Sequence, residues 1–185
     1  MTAPVALVTG SARRIGAQIV RTLHHHGMRV IIHYRGSQQE AESLAAALNQ
    51  TRPNSAVLLQ ADLDQPAAVR QLASDALACF GQLDLLVNNA GRARGLAPAQ
   101  EASLDDWQTM IDTNVTAMVV LTRKLLPTLI ERKGAIIAIG SVAGNYVYPG
   151  GNVYAGSKAF ANHFTLALRA DLHGTGVRVT SIEPG

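Results

Sequence analysis

Six short aliphatic runs separated by longer stretches of helical character constrain this 185-residue chain more than any other feature. Val5–Thr9, Arg29–His33, Ala56–Gln60, Leu83–Asn88, Ala135–Ile139 and Val177–Ile182 read as strands. Between them, Arg14–His25, Gln38–Asn49, Pro66–Phe80, a long segment from Ser103 to Arg132, and Tyr154–Leu172 read as helices. Strands joined by helices pair in parallel, because parallel neighbours need crossover connections. Right-handed crossovers then give an α/β fold, a doubly wound parallel sheet of about six strands with helices on both faces. Composition agrees: 48% of residues are hydrophobic and only 16% charged, which suits strands covered on both sides. Ser103-x-x-Asp106 matches a capping box with Asp in place of Glu, and Pro127 is expected to kink or end the long helix. With no internal repeat and no linker, residues 1–185 read as a single domain.

Several function classes are disfavoured. Sixteen basic against thirteen acidic side chains leave a net charge of +3, but the basic residues are scattered and aromatics make up 4%. A nucleic-acid partner is therefore not expected. Cys79 is the only cysteine, so it has no intrachain disulfide partner, and it reads as a small buried hydrophobe. No apolar run approaches the ~20 residues of a membrane span. The N-terminus lacks a signal-peptide pattern, so the expected compartment is the cytoplasm. His24-His25-His26 offers no metal site, because consecutive helix positions do not share a face; it reads as a solvated helix end.

In a doubly wound sheet, ligands bind beyond the carboxyl ends of the strands where the strand order reverses. Polar residues and glycines gather there: Thr9-Gly10-Ser11, Tyr34-Arg35-Gly36-Ser37, Asn88-Asn89-Ala90-Gly91 and Gly140-Ser141. The first strand passes through Gly10-Ser11-Ala12-Arg13-Arg14-Ile15-Gly16 into a helix. Gly10 permits the tight turn, Gly16 permits close packing, and the helix N-terminus faces a pyrophosphate. The middle glycine of the three-glycine fingerprint is absent, and Arg14 stands in its place. The second strand ends without the carboxylate that an NAD site places against the ribose hydroxyls. Arg13 and Arg35 could instead clamp a 2′-phosphate, so the expected cofactor is NADP(H), with Tyr34 and Ser37 beside them as further cofactor-binding residues. Asp62-Leu63 is placed to line the adenine pocket.

Tyr154 and Lys158 stand four apart, one turn along a helix face, and Ser141 ends the fifth strand at the same sheet edge. With Thr9-Gly10…Gly16, Asn88-Asn89-Ala90-Gly91, Asn114 and Pro184-Gly185, these residues resemble the short-chain dehydrogenase/reductase family over essentially the whole chain. The resemblance implies a Rossmann-type fold and the catalytic set Asn114, Ser141, Tyr154 and Lys158. Tyr154 would be the general acid–base, and a nearby Lys158 ammonium favours its phenolate. Lys158 would also hold the nicotinamide ribose, Ser141 the substrate oxygen, and Asn114 a relay water. Asn89, Ala90, Gly91, Pro184 and Gly185 would contact the cofactor.

Up to about Asn89 the chain is similar to pteridine reductases, in Arg13-Arg14, His33-Tyr34 and Arg52-Pro53-Asn54-Ser55. Beyond Asn89 it is similar to NADP-dependent 3-hydroxy acid dehydrogenases, in Asp106-Trp107, Met110–Asn114, Gly150–Tyr154 and Asp171–Thr175. The expected substrate is a small carbonyl or hydroxyl compound, for which the second resemblance implies a 3-hydroxy acid. Pteridine reduction is one alternative, and an NADP-binding but catalytically incompetent truncated or chimeric module is another. The family normally continues past Pro184-Gly185, so the chain is expected to be C-terminally truncated with an open cleft. The resemblance also implies a homodimer or homotetramer. Tyr146 and Tyr148 are expected at the substrate mouth, and Trp107 in packing.

Overall fold

A computed structural model describes residues 2–95 and 97–185. Six strands, β1 (Val5–Val8), β2 (Arg29–Tyr34), β3 (Ala56–Gln60), β4 (Leu85–Asn88), β5 (Ala135–Ile139) and β6 (Arg178–Ile182), form one sheet. All pairings are parallel, in the order β3-β2-β1-β4-β5-β6. The order reverses between β1 and β4, which is where the expected ligand edge lies.

The inner strands are rich in aliphatic residues because their two faces feed separate cores. Val5 and Leu7 of β1 and Ile31 of β2 point into one core, with α3 (Pro66–Phe80) and α5 (Ala117–Glu131). Ala6, Val8, Val30 and Ile32 point into the other, against α1 (Arg14–His25) and α2 (Gln38–Thr51). The remaining helices are α4 (Leu104–Ile111) and α6 (Asn152–Asp171). Among the described residues, no helix is long and apolar enough to cross a membrane.

The long helix is not continuous. Ser103 caps α4, its hydroxyl accepting from the Asp106 N–H at 3.3 Å. A π-helical turn over Asp112–Thr116 then separates α4 from α5. Pro127 does not end the helix, which runs on to Glu131. The missing proline N–H removes one backbone bond, but Leu121, Leu125 and Leu129 lie four apart and are wholly buried. Their burial offsets a local penalty of roughly 3 kcal/mol.

Two smaller expectations need correction. His24 is buried, 2.6 Å from the Ser55 hydroxyl, so only His25 and His26 form the solvated helix end. Cys79 is half-buried rather than enclosed, and burial still pushes its thiol pKa up.

Candidate active site

The loops after β1, β2, β4 and β5 enclose a cleft of about 750 Å³ at the switch point. Its first wall is the turn from β1 into α1. Gly10 has φ +61°, and a Cβ there would stand 3.1 Å from Ala90 Cα. A Cβ on Gly16 would come within 2.6 Å of the Gly10 carbonyl oxygen and 2.7 Å of Ser11 Cα, so the close approach of helix and turn requires glycine. Arg14, in the place of the missing middle glycine, adopts φ +51°, the left-handed region that side chains seldom enter. The start of α1 has no side-chain cap and no acid in its first turn, so its leading N–H groups can meet an anion.

Behind this turn, the polar residues after β4 act as struts. Thr9 Oγ1 accepts from the Asn89 and Ala90 N–H groups at 3.0 and 2.9 Å. Asn89 Nδ2 donates to the carbonyls of Thr9 and Gly10 at 2.8 and 3.1 Å. The same asparagine that lines the cleft therefore also fixes the turn opposite.

At one end, Tyr34, Arg35, Ser37 and Leu63 line the cleft together with Arg13. Both arginines have acidic neighbours. Arg13 lies 3.6 Å from Glu40, and Arg35 lies 3.5 Å from Asp64 and 3.9 Å from Asp62. Asp62 is not among the cleft-lining residues. Its carboxylate accepts from the Asp64 N–H at 3.1 Å and faces Arg35, while Leu63 takes the wall position.

At the opposite end, Ser141, Tyr154, Lys158, Pro184 and Gly185 line the cleft. The Lys158 ammonium lies 5.9 Å from the Tyr154 ring centroid, as expected for residues one turn apart. Lys158 is buried and donates to the Ile139 carbonyl at 2.9 Å; burial pushes its pKa down. Ser141 Oγ accepts from the Ala143 N–H at 3.1 Å, capping a short 3-10 turn.

Asn114 lies behind the cleft, in the π-helical turn rather than mid-helix. Its side chain accepts from the Arg92 N–H and donates to the Arg92 carbonyl, both at 2.9 Å, and donates to Ser157 Oγ at 2.9 Å. A small space of about 10 Å³ borders both Asn114 and Lys158. Tyr146 and Tyr148 do not line the cleft: Tyr146 is exposed, and the Tyr148 ring packs on Gly151. Trp107 is half-buried.

A hub at Asp64 was not among the expected site residues. Asp64 pairs with Arg92 at 3.0 Å, faces Arg35, and accepts from the Thr113 hydroxyl. It joins the Arg35 end of the cleft to the turn that holds Asn114. No local motif marks it, because its partners come from two separate loops and the π-helical turn.

The short chain dehydrogenase family profile matches residues 4–185. Serine 3-dehydrogenase of Agrobacterium fabrum is 47% identical over 181 residues, covering 97% of this chain and 70% of that protein. The NADP-dependent 3-hydroxy acid dehydrogenase YdfG of Escherichia coli is 44% identical over 182 residues, 98% of this chain and 71% of its own length. A solved closed form of serine dehydrogenase complexed with NADP+ superposes with a TM-score of 0.90 at 44% identity, covering 98% of this chain and 71% of that one. These likenesses run through Asn89 without a break, so both halves follow the same relatives and pteridine reduction is not favoured. On profile, identity and fold together, the chain belongs to the short chain dehydrogenase family.

Proposed function

We propose that this chain is an NADP(H)-dependent oxidoreductase, a single cofactor-binding domain that interconverts a 3-hydroxy acid and its ketone. The observation carrying this reading is one cleft with Ser141, Tyr154 and Lys158 at one end and Arg13 and Arg35 at the other. The named relatives that act on serine and on 3-hydroxy acids support the substrate class.

The fit to a dinucleotide rests on the turn: Gly10 and Gly16 leave no room for side chains, and the α1 N-terminus is uncapped. Gly10, Arg14, Ile15 and Gly16 would hold the diphosphate, and Arg13, Tyr34, Arg35 and Ser37 the 2′-phosphate end. Leu63 and the Asn89-Ala90-Gly91 segment would border the adenosine, and Pro184 and Gly185 the nicotinamide side. A nicotinamide held there would supply the hydride donor or acceptor.

The protein's own part is to orient and to move a proton. Ser141 Oγ would hold the substrate oxygen, and Tyr154 Oη would give that oxygen a proton in reduction and take it in oxidation. Lys158 would stabilise the phenolate and bind the ribose hydroxyls. Asn114 would hold the π-helical turn and a relay water in the small space beside Lys158, which is about the size one water needs. The chain is proposed to act in the cytoplasm as a homo-oligomer, like other members of its family.

Thermal unfolding with NADPH and NADH titrated separately tests the cofactor. Saturation at a hundred times the dissociation constant adds about 2.7 kcal/mol, a shift of roughly 5–10 °C for a domain of this size. Turnover would then be measured with 3-hydroxy acids including serine, simple ketones and pterins. NADPH-selective stabilisation with 3-hydroxy acid turnover is expected; turnover with pterins alone, or equal stabilisation by NADH, would overturn the reading.

A further inference from the structure

The diphosphate-binding turn is gripped from two sides. Asn89 Nδ2 holds the carbonyls of Thr9 and Gly10. Facing it, His33, fully buried near the end of β2, takes two successive N–H groups of the same turn. Its ring Nδ1 accepts from the Gly10 N–H at 2.9 Å, and its carbonyl accepts from the Ser11 N–H at 2.8 Å. The other ring nitrogen, Nε2, lies 3.1 Å from the Ala61 carbonyl oxygen at the end of β3.

These partners leave the ring one arrangement. A backbone N–H can only donate and a carbonyl can only accept, so Nδ1 carries the lone pair and Nε2 carries the proton. A second proton, on Nδ1, would point at the Gly10 N–H and break that bond. Gly10 itself stands at φ +61°, where a Cβ would come within 3.1 Å of Ala90 Cα, and its carbonyl accepts from Asn89 Nδ2, so its peptide is bonded at both ends. Its N–H is committed to His33, leaving the anion to the first turn of α1.

We propose that His33 is a positioning residue for the cofactor, holding the Gly10 turn in the shape that opens the α1 N-terminus to the diphosphate. The proposal rests on the cofactor reading above. It goes beyond that reading by assigning to a side chain of β2, which is not in the hydride chemistry, a share of the binding energy. The group required is a lone pair at the position of Nδ1. Asn presents an amide oxygen about there, Gln reaches only toward Ala61, and Leu offers neither.

The test has two independent arms. In the first, the ring nitrogen shifts and Gly10 amide exchange of the full chain are measured by NMR without cofactor. An Nε2–H tautomer and a protected Gly10 amide are expected, with protection lost in His33→Leu and retained in His33→Asn. In the second, NADPH binding is titrated by fluorescence. His33→Leu and His33→Gln are expected to weaken it tenfold or more, His33→Asn by no more than threefold, and turnover at saturating NADPH to change less than affinity. An Nδ1–H tautomer, an unprotected Gly10 amide, or Asn no better than Leu would overturn the proposal. If His33→Leu does not fold, the wild-type spectrum and the Asn–Gln contrast still decide. A wild-type chain with a protected Gly10 amide but no NADPH binding would sink the cofactor reading instead, a separate failure.

Discussion

Lys158 Nζ donates to the Ile139 carbonyl at 2.9 Å, tying the middle of α6 to the end of β5 two residues before Ser141. The partner of this buried ammonium is a neutral carbonyl rather than a carboxylate, so its charge is not cancelled where it stands. That explains both its lowered pKa, which burial causes, and its usefulness beside Tyr154.

Replacing Lys158 with Met keeps the stem and removes the charge. The Ile139 carbonyl loses its partner, costing about 1–3 kcal/mol of stability. The larger effect falls on catalysis: kcat/KM is expected to drop by about 10²-fold or more, in line with loss of a general acid–base partner. Steady-state kinetics beside a circular dichroism melt measures both. Activity within threefold of wild type would remove Lys158 from the mechanism.

Arg14 occupies a left-handed backbone position at φ +51°. That conformation costs a side-chain residue about 1–2 kcal/mol, while glycine loses about 0.5–1 kcal/mol more chain entropy on folding. Arg14→Gly is therefore expected to raise the melting temperature by about 2 °C, and Arg14→Val to lower it by more than that. Differential scanning calorimetry of the three proteins decides; a fall in Arg14→Gly would mean that the arginine side chain outweighs the strain.

The sheet was legible because burial on both faces forces apolar strands, and its switch point because glycines and polar residues must gather at a ligand edge. Tyr154, Lys158 and Ser141 were legible because helix spacing and a strand end place them together. The π-helical turn at Asp112–Thr116 is not legible, since no residue type marks it and a one-residue shift of apolar phase is hidden where both flanking helices carry mixed apolar faces. Asp62 looked like a wall residue from its place after β3, but its carboxylate turned to Arg35 and the Asp64 N–H. His33 and Asp64 act through partners distant in sequence, which no local pattern encodes.

His33 predicts how stability varies with pH. Burial lowers its pKa from 6.5 to about 4, only partly offset by the Ala61 hydrogen bond and the attraction of Asp62. Between those values the unfolded chain binds a proton that the native ring refuses. The sign follows: the stability is fully present above about pH 6.5 and is lost as pH falls toward 4. A depression of this size corresponds to about 3 kcal/mol. Urea unfolding of wild type and His33→Asn at pH 7 and pH 4.5 should show the asparagine variant losing less stability on acidification. Equal losses would mean that carboxylates, not His33, set the acid limb.

Arg13 and Arg35 are the expected source of NADPH preference, and both are more than half exposed, with side-chain accessibilities of 61% and 51%. Each has an acidic neighbour, so removing an arginine does more than delete one favourable contact. In Arg13→Ala, Glu40 remains beside the cleft and repels a 2′-phosphate; in Arg35→Ala, Asp62 loses its partner and does the same, while Asp64 keeps its pair with Arg92. A charge-assisted hydrogen bond contributes about 1.5–3 kcal/mol, so each variant should weaken NADPH about 10- to 100-fold. NADH lacks the phosphate and should change by less than threefold. Adding Glu40→Gln to Arg13→Ala should recover part of the NADPH affinity, because the stranded carboxylate is neutralised. Titration of both cofactors at low and high salt measures all of this, and screening should shrink the difference. If NADPH and NADH weakened together, the two arginines would be organising the loop rather than reading the phosphate.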